Sequence, residues 1–141
     1  FQNMQADNKL ASAANVLAAD LKRIRSEALM QRRNLDLIAL GTDSTDPWGS
    51  GGWKIENKAR TETIMRNQAI PTSLTIVSNP AVTDIVFVAA SGLVTKTDGT
   101  ATSFEFKICD SKVSGEIGRS VLISQFGRVV VKKHSSSSDC T

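Results

Sequence analysis

The first forty residues contain no Gly or Pro, and their apolar side chains repeat with the period of an α-helix. Successive members of this stripe are four or three residues apart, which places them on one helical face. They are Leu10, Ala14, Leu17, Leu21, Ile24 and Ala28. A helix over residues 3–33 would be about 46 Å long at roughly 1.5 Å per residue. A compact chain of this length has a radius of gyration of about 14 Å, so the helix must protrude from the domain or cross it.

The rest of the chain has the pattern of β-strands. We predict strands over residues 35–40, 53–55, 73–78, 84–89, 92–96, 102–109, 120–124 and 128–132. The run from Phe104 to Ile108 alternates apolar with charged residues, as a half-buried strand does. Asp98-Gly99 is a turn signal, and Gly127 suits the turn of a C-terminal hairpin because glycine tolerates a positive φ. Residues 41–52 are predicted to be a loop, and residues 56–70 are ambiguous.

These elements predict an α+β fold in which one long helix packs on antiparallel β-sheet and a β-hairpin closes the chain. The predicted helix ends near Arg33-Asn34, where cations complement the helix dipole. We therefore divide the chain into a helical segment, residues 1–34, and a β-rich segment, residues 35–141, within a single domain.

Two cysteines, Cys109 and Cys140, are predicted to form a disulfide, since an unpaired thiol in the Ser-rich tail would be exposed. The alternative is two unrelated thiols. A disulfide indicates a periplasmic or extracellular location. No stretch reaches the roughly 20 apolar residues that span a bilayer, and no signal peptide is present. Because the chain does not begin with Met, we expect it to be processed or truncated, and a membrane segment before Phe1 stays open.

Positive charge is concentrated in two segments of a chain whose net charge is +3. Residues 22–33 carry a local charge of +4, from five cations against Glu27. Residues 117–134 carry another +4 and no acid, from Arg119, Arg128, Lys132 and Lys133. Such segments are either solvated faces or contacts for an anionic partner.

The residue content argues against an enzyme. The chain has one His and no Tyr, and it lacks the common catalytic, metal-binding and phosphate-binding motifs. We expect no cofactor and no metal, and we expect His134 to be solvent-exposed. Asp43 and Asp46 could bind a cation through their loop, although their spacing matches no complete calcium loop. Trp48 and Trp53 are predicted to pack in the core rather than to bind a ligand.

An ordered set of motifs resembles the GspH/FimT family of minor pilins and pseudopilins. The end of the helix, LKRIRSEA followed by QRRN, is similar to the family signature "LRSEAikRn". The remaining matches are Trp48 with Gly52-Trp53, Ile64-Met65-Arg66, Ile85-Val86-Phe87 to Gly92, Cys109, and the closing segments GRSVLIS and GRV. The resemblance covers about residues 10–132.

The resemblance implies a subunit whose helix is anchored in the inner membrane by a preceding apolar half and later packs in a filament. Its implied location is the inner membrane with a periplasmic domain, then the pilus. The implied partners are other minor pilins and the major pilin, against which the helix packs, and the apolar stripe fits the half of the helix that packs on the β domain. Within the chain, the stripe could equally be a core-facing helix or a short coiled-coil seam.

Three functions follow from this resemblance. The first is a minor pilin in assembly or initiation of a type IV pilus, and the second is a minor pseudopilin of type II secretion. The third is a DNA receptor for transformation, since some family members bind DNA through a basic "GRxR" hairpin. Here Gly127-Arg128 is kept but Val130 replaces the second Arg. In an extended strand Arg128, Val130 and Lys132 would share one face, with roughly 13 Å between Arg128 and Lys132. The predicted DNA-binding residues, Arg119, Arg128, Lys132 and Lys133, would neutralise phosphates of double-stranded DNA without reading its sequence.

Overall fold

The structure, a computed structural model, describes residues 2–57, 62–67, 73–110 and 118–134. A long helix opens the chain, and β-strands follow it, with a short helix between the first two strands. The helices are α1 (Gln2–Gln31) and α2 (Pro47–Gly51). The strands are β1 (Leu35–Ala39), β2 (Trp53–Asn57), β3 (Glu62–Asn67), β4 (Leu74–Asn79), β5 (Asp84–Phe87), β6 (Val94–Thr95), β7 (Phe104–Asp110), β8 (Arg119–Ile123) and β9 (Val129–Lys133). This architecture confirms the predicted α+β class.

The strands form two antiparallel sheets. In the described part of the chain the first sheet has the order β3-β2-β1-β5-β6, and the second has the order β4-β7-β8-β9. The second sheet ends in the predicted C-terminal hairpin, in which Ser120 lies opposite Lys132 and Leu122 opposite Val130. The hairpin therefore places β9 at the edge of the second sheet.

The apolar stripe of α1 is buried inside the domain. Its members, Leu10, Ala14, Leu17, Leu21, Ile24 and Ala28, are between 0% and 2% exposed. They form one buried cluster with residues of both sheets, among them Leu37 and Phe87 of the first and Phe106 and Val121 of the second. Burying a large aliphatic side chain contributes about 1.5–3 kcal/mol. The stripe therefore packs on the β domain and faces the core, and contacts of α1 with neighbouring subunits require another face of the helix.

The end of α1 comes two residues earlier than predicted. Arg32 adopts a left-handed conformation with φ +54°. The backbone N–H of Arg33 then donates to the carbonyl of Ala28 at 3.2 Å. This bond closes the helix as a C-terminal capping motif does, at a position where Gly is the usual residue. The chain leaves the helix directly into β1, and the Asn34 side chain accepts a hydrogen bond from the Ala89 N–H at 3.0 Å.

The loop prediction for residues 41–52 is wrong where α2 forms. Asp46 caps this helix by accepting a hydrogen bond from the Gly49 N–H at 3.1 Å, and Pro47 follows it at the first helical position. Asp46 also accepts from the Ile76 N–H at 2.7 Å, which ties α2 to β4. The segment is predicted to be a loop because its composition is typical of turns. The helix is stabilised by its Asp46 cap, by Pro47 and by this contact with a distant strand, which the composition does not indicate.

The other strand predictions hold, with bounds that differ by at most two residues at either end. The strands predicted over residues 84–89 and 92–96 reduce to β5 and β6, and the ambiguous region contains the end of β2 and all of β3. The turn at Asp98-Gly99 is confirmed, since the Gly99 N–H donates to the Lys96 carbonyl at 3.0 Å. Phe104, Phe106 and Ile108 face the core as their alternation predicts.

Candidate functional site

The turn of the β8–β9 hairpin is held by its own backbone and one hydroxyl group. The Gly127 N–H donates to the Ser124 carbonyl, and the Ser124 N–H donates to the Arg128 carbonyl, both at 2.9 Å. The Ser124 hydroxyl accepts from the N–H groups of Phe126 and Arg128 at 3.3 and 3.1 Å. Gly127 has φ +89°, as predicted for the turn. The result is a defined tip at which the Phe126 side chain is 64% exposed.

The cations predicted on the hairpin do not share one surface. Arg128 and Lys132 are exposed, and alternation along the strand places them on one face of the sheet. Lys133 is exposed on the opposite face, where its Nζ lies 4.0 Å from Oδ1 of Asp7 in α1. The described structure therefore leaves Arg128 and Lys132 as the outward-facing pair.

Arg119 is buried, and its side chain contacts groups within the domain. Its side chain is 9% exposed and forms an ion pair with Asp7 through Nη2. Its Nη1 donates to the Gly118 carbonyl at 3.3 Å. The hydrogen bond from Arg119 is the main cause that lowers the pKa of Asp7. The expectation that Arg119 contacts a partner is corrected, because its guanidinium faces α1 instead of solvent.

Sequence reasoning missed Arg25 as a site residue. Its side chain crosses the hairpin turn so closely that a Cβ on Gly127 would overlap its Nε and Cδ atoms. Its Nε is buried, and no described group forms a hydrogen bond with it. Arg25 belongs to the basic run of α1. No pattern in the sequence indicates where this run lies relative to the hairpin. The two basic segments therefore adjoin at Gly127.

We expect Gly127→Ala to lower the free energy of unfolding by about 1–3 kcal/mol, since an L-residue is strained at positive φ and the new methyl displaces Arg25. Gly99→Ala is the matched control, because Gly99 also has φ +89° and nothing lies within 4 Å of its Cβ position. Urea unfolding of both variants measures the difference. Equal losses would show that the Arg25 contact contributes nothing.

The acids of the 41–52 segment organise the backbone. The pKa of Asp43 is lowered chiefly by the Thr45 hydroxyl, which donates to it at 2.7 Å. Burial raises the pKa of Asp46, whose carboxylate caps α2. Among the described residues, no group of three or more His, Cys, Asp or Glu side chains could hold a metal ion. The two carboxylates therefore have structural partners of their own.

His134 is half-buried, which corrects the expectation of full exposure. Its Nε2 lies 2.7 Å from the Ser120 hydroxyl oxygen, across the hairpin. The backbone N–H of His134 also donates to the Gly118 carbonyl at 3.0 Å. These two bonds extend the pairing of β8 with β9 one residue beyond the strand.

Both tryptophans are core residues, as predicted. Trp48 and Trp53 are each 0% exposed. The indole N–H of Trp53 donates to the Asp20 carboxylate at 2.8 Å, and that of Trp48 donates to the Val82 carbonyl at 2.9 Å. The Trp48 ring packs edge-on against Phe106, with 5.2 Å between centroids. Each indole thus buries a large apolar surface and pairs its polar atom.

Cys109 is disulfide-bonded. It is the next-to-last residue of β7 and lies opposite Thr75 of β4. Cys140 lies outside the described residues, so its pairing with Cys109 stays a prediction.

Comparisons with known proteins identify the class. A family described as "Type II transport protein GspH" matches residues 13–127. The type IV minor pilin FimU of Pseudomonas aeruginosa (strain PAO1), crystallised in space group P21, is 30% identical with a TM-score of 0.70, over 92% of this chain and 96% of that chain. FimU in space group P65 is 31% identical with a TM-score of 0.64, over 90% of this chain and 98% of that chain. A search of curated protein sequences found no significant match.

The long helix on two antiparallel sheets, shared with FimU over nearly the whole chain, defines a subunit of the minor pilin and pseudopilin class. The chain belongs to the GspH family. This confirms the resemblance found in the sequence. In this class the fold serves assembly, and it is not known as a scaffold for enzymes. Across the described residues, no helix combines the length and apolar character needed to cross a bilayer.

Proposed function

We propose that this chain is a minor pilin of a type IV pilus, acting in assembly or initiation of the filament. The observation that carries the proposal is the likeness to the minor pilin FimU over 92% of the chain at 30% identity. A pseudopilin role in type II secretion is the alternative suggested by the family description. The proposal includes an inner-membrane location with a periplasmic domain, followed by incorporation into the pilus with other minor pilins and the major pilin.

The exposed face of α1 is the surface we assign to contacts with other pilins. Because the apolar stripe is buried in the domain's own core, neighbours must bind elsewhere on the helix. Val16 and Met30 are 36% and 71% exposed there. A helix face of this kind offers apolar area to a neighbouring helix without unfolding the subunit.

Binding of purified pilin domains tests this assignment. We expect the protein to bind the soluble domains of its own organism's minor or major pilins in preference to those of its secretion pseudopilins. Val16→Asp should weaken binding at least tenfold, whereas Val130→Asp, at a similarly exposed site on the hairpin, should not. Preferential binding of secretion pseudopilins would favour the alternative, and binding of neither set would contradict both.

A second candidate function is electrostatic binding of double-stranded DNA, and the adjoining basic segments favour it. Arg25 crosses the turn at Gly127, the residue that precedes Arg128, and Lys132 lies on the same strand face as Arg128. No acid occurs between residues 117 and 134. Arg and Lys neutralise phosphates without reading the base sequence. The presence of Val130 in place of a second Arg should therefore lower the affinity for DNA without changing the electrostatic nature of the binding.

We expect a 30-base-pair labelled duplex to bind at 50 mM salt and to bind roughly 40-fold more weakly at 200 mM, as release of counterions from about three phosphates requires. Fluorescence anisotropy measures this. Substituting Arg25, Arg128 and Lys132 by Ala, the three cations on which this candidate rests, should abolish binding. Substituting Lys9, Lys54 and Lys96 by Ala removes the same charge elsewhere and should retain it. Equal losses in the two triple variants would mean that only net charge matters, and an absence of binding at 50 mM would contradict the DNA role.

A further inference from the structure

A groove of about 470 Å³ opens beside β4, on the side of the molecule that carries α2. Its apolar lining includes Pro47, Val77 and Val82, and hydroxyl groups such as those of Thr45 and Thr83 line it as well. The Val77 side chain is 44% exposed within it. This volume falls in the range of about 300–1,000 Å³ that is typical of ligand pockets, so the groove can receive a side chain of another molecule.

Acidic residues lie in the lining of the groove and next to it in the chain. Asp84 lines it directly. Asp43 and Asp98 are exposed and are the chain neighbours of the lining residues Ser44 and Thr97. Lys96, which lies near Asp98, is the opposing charge on this rim. The groove therefore has an apolar floor and a net negative edge.

The tip of the β8–β9 hairpin has the opposite character. Phe126 is 64% exposed, which sets it apart from the buried aromatic residues of the core. The exposed Arg128 follows it two residues later in the chain, and Arg25 lies across Gly127, the residue between them. An exposed aromatic ring beside arginines is the composition of an interface hot spot, where the ring enters a pocket and the guanidinium groups meet carboxylates at the rim.

The tip and the groove lie at opposite edges of the second sheet. Val77 belongs to β4 and the tip adjoins β9, and these are the two edge strands of the order β4-β7-β8-β9. At about 4.8 Å per strand the edges are roughly 14 Å apart. Within one molecule the tip is therefore two to three strand spacings from Val77, and its backbone is held by the Val94 N–H, which donates to the Gln125 carbonyl at 2.8 Å. The tip of a neighbouring molecule has no such restraint and can enter the groove.

We infer that the hairpin tip of one copy of this chain docks in the groove of a second copy, with Phe126 entering between Pro47 and Val77 and with Arg128 and Arg25 facing the acidic rim. The contact joins two different surfaces, so each complex leaves a free groove at one end and a free tip at the other. Such heterologous contacts add further copies in a row instead of closing as a symmetric dimer. The inference rests on the proposed function, because it names a second copy of this chain as one partner of a pilus subunit.

Sedimentation velocity of the purified protein over a concentration series tests the contact. We expect wild type to form dimers and longer species as concentration rises. Phe126→Ala should weaken association at least tenfold, and Val77→Lys, which places a cation in the groove, should do the same. Val131→Ala removes another exposed apolar side chain, in β9 and away from the tip, and should have no effect. Wild type that stays monomeric up to 1 mM would overturn the inference.

Mixing the two defective variants separates docking from non-specific association. Phe126→Ala retains an intact groove, and Val77→Lys retains an intact tip, so an equimolar mixture can form one contact per pair. We expect this mixture to form dimers and no longer species, although neither variant associates alone. A mixture that remains monomeric, with both variants folded by thermal unfolding, would overturn the inference.

The result is independent of the other two proposals. Loss of the self-contact with retained binding of pilin domains would overturn only the inference, whereas loss of pilin binding by wild type would overturn the proposed function. DNA affinity should be unchanged in Phe126→Ala, because phosphate contacts do not require the ring.

Discussion

Replacing Trp53 by Ala is expected to lower the free energy of unfolding by about 3–5 kcal/mol, the range for emptying a buried aromatic site. Trp53 is fully buried at the start of β2, and its indole N–H pairs with the Asp20 carboxylate of α1 at 2.8 Å. The substitution removes the packing of the ring and the hydrogen bond between helix and sheet together. Since domains are stable by only about 5–15 kcal/mol, the variant should unfold at a far lower urea concentration.

Two further variants separate the contribution of the buried ring from that of the hydrogen bond and provide a control at an exposed site. Trp53→Phe keeps most of the apolar ring and loses the hydrogen bond, and we expect it to cost about 1–3 kcal/mol because a buried carboxylate loses a donor. Met30→Ala, at a side chain that is 71% exposed, should change stability by less than about 0.5 kcal/mol. Urea unfolding monitored by circular dichroism measures all three. A Trp53→Ala variant as stable as Met30→Ala would contradict the packing described for α1 and β2.

Replacing Cys140 by Ser is expected to lower the free energy of unfolding by roughly 3–4 kcal/mol. The predicted Cys109–Cys140 disulfide closes a loop of about 30 residues, and the entropy that it removes from the unfolded chain accounts for this value. Reduction of wild type with a thiol reagent should produce the same loss, measured by urea unfolding. Ser138→Ala, in the same Ser-rich segment, should leave stability unchanged.

Mass spectrometry of the unreduced protein checks the bond itself. After treatment with an alkylating reagent, unreduced wild type should carry no label. Its mass should be lower than that of the reduced protein by the mass of two hydrogen atoms. Two alkylated cysteines would rule out the disulfide. Equal stability of wild type in oxidised and reduced form would show that the bond does not restrict the unfolded chain.

Where the structure corrects the sequence interpretation, a contact between distant residues is the reason. Asp7 and Arg119 are 112 residues apart, and their ion pair removes Arg119 from the predicted DNA surface. Asp46 and Ile76 are 30 residues apart, and their hydrogen bond helps to hold a helix in a segment predicted to be loop. A basic run or a turn-rich segment indicates local composition only. It does not indicate which charged side chain will form an ion pair or hydrogen bond with a residue far away in the sequence.

The sequence alone determined the elements whose cause is local. The helical stripe from Leu10 to Ala28, the alternation from Phe104 to Ile108 and the glycine at the hairpin turn each follow from periodicity or backbone freedom within a few residues. The ordered motifs also predicted the family, which the comparisons confirmed. The tertiary structure decided the strand order of the two sheets and the position of Arg25 across Gly127. It also placed Phe126 and the acidic groove at opposite edges. These features depend on how elements far apart in sequence pack together, and periodicity along the chain carries no information about that packing.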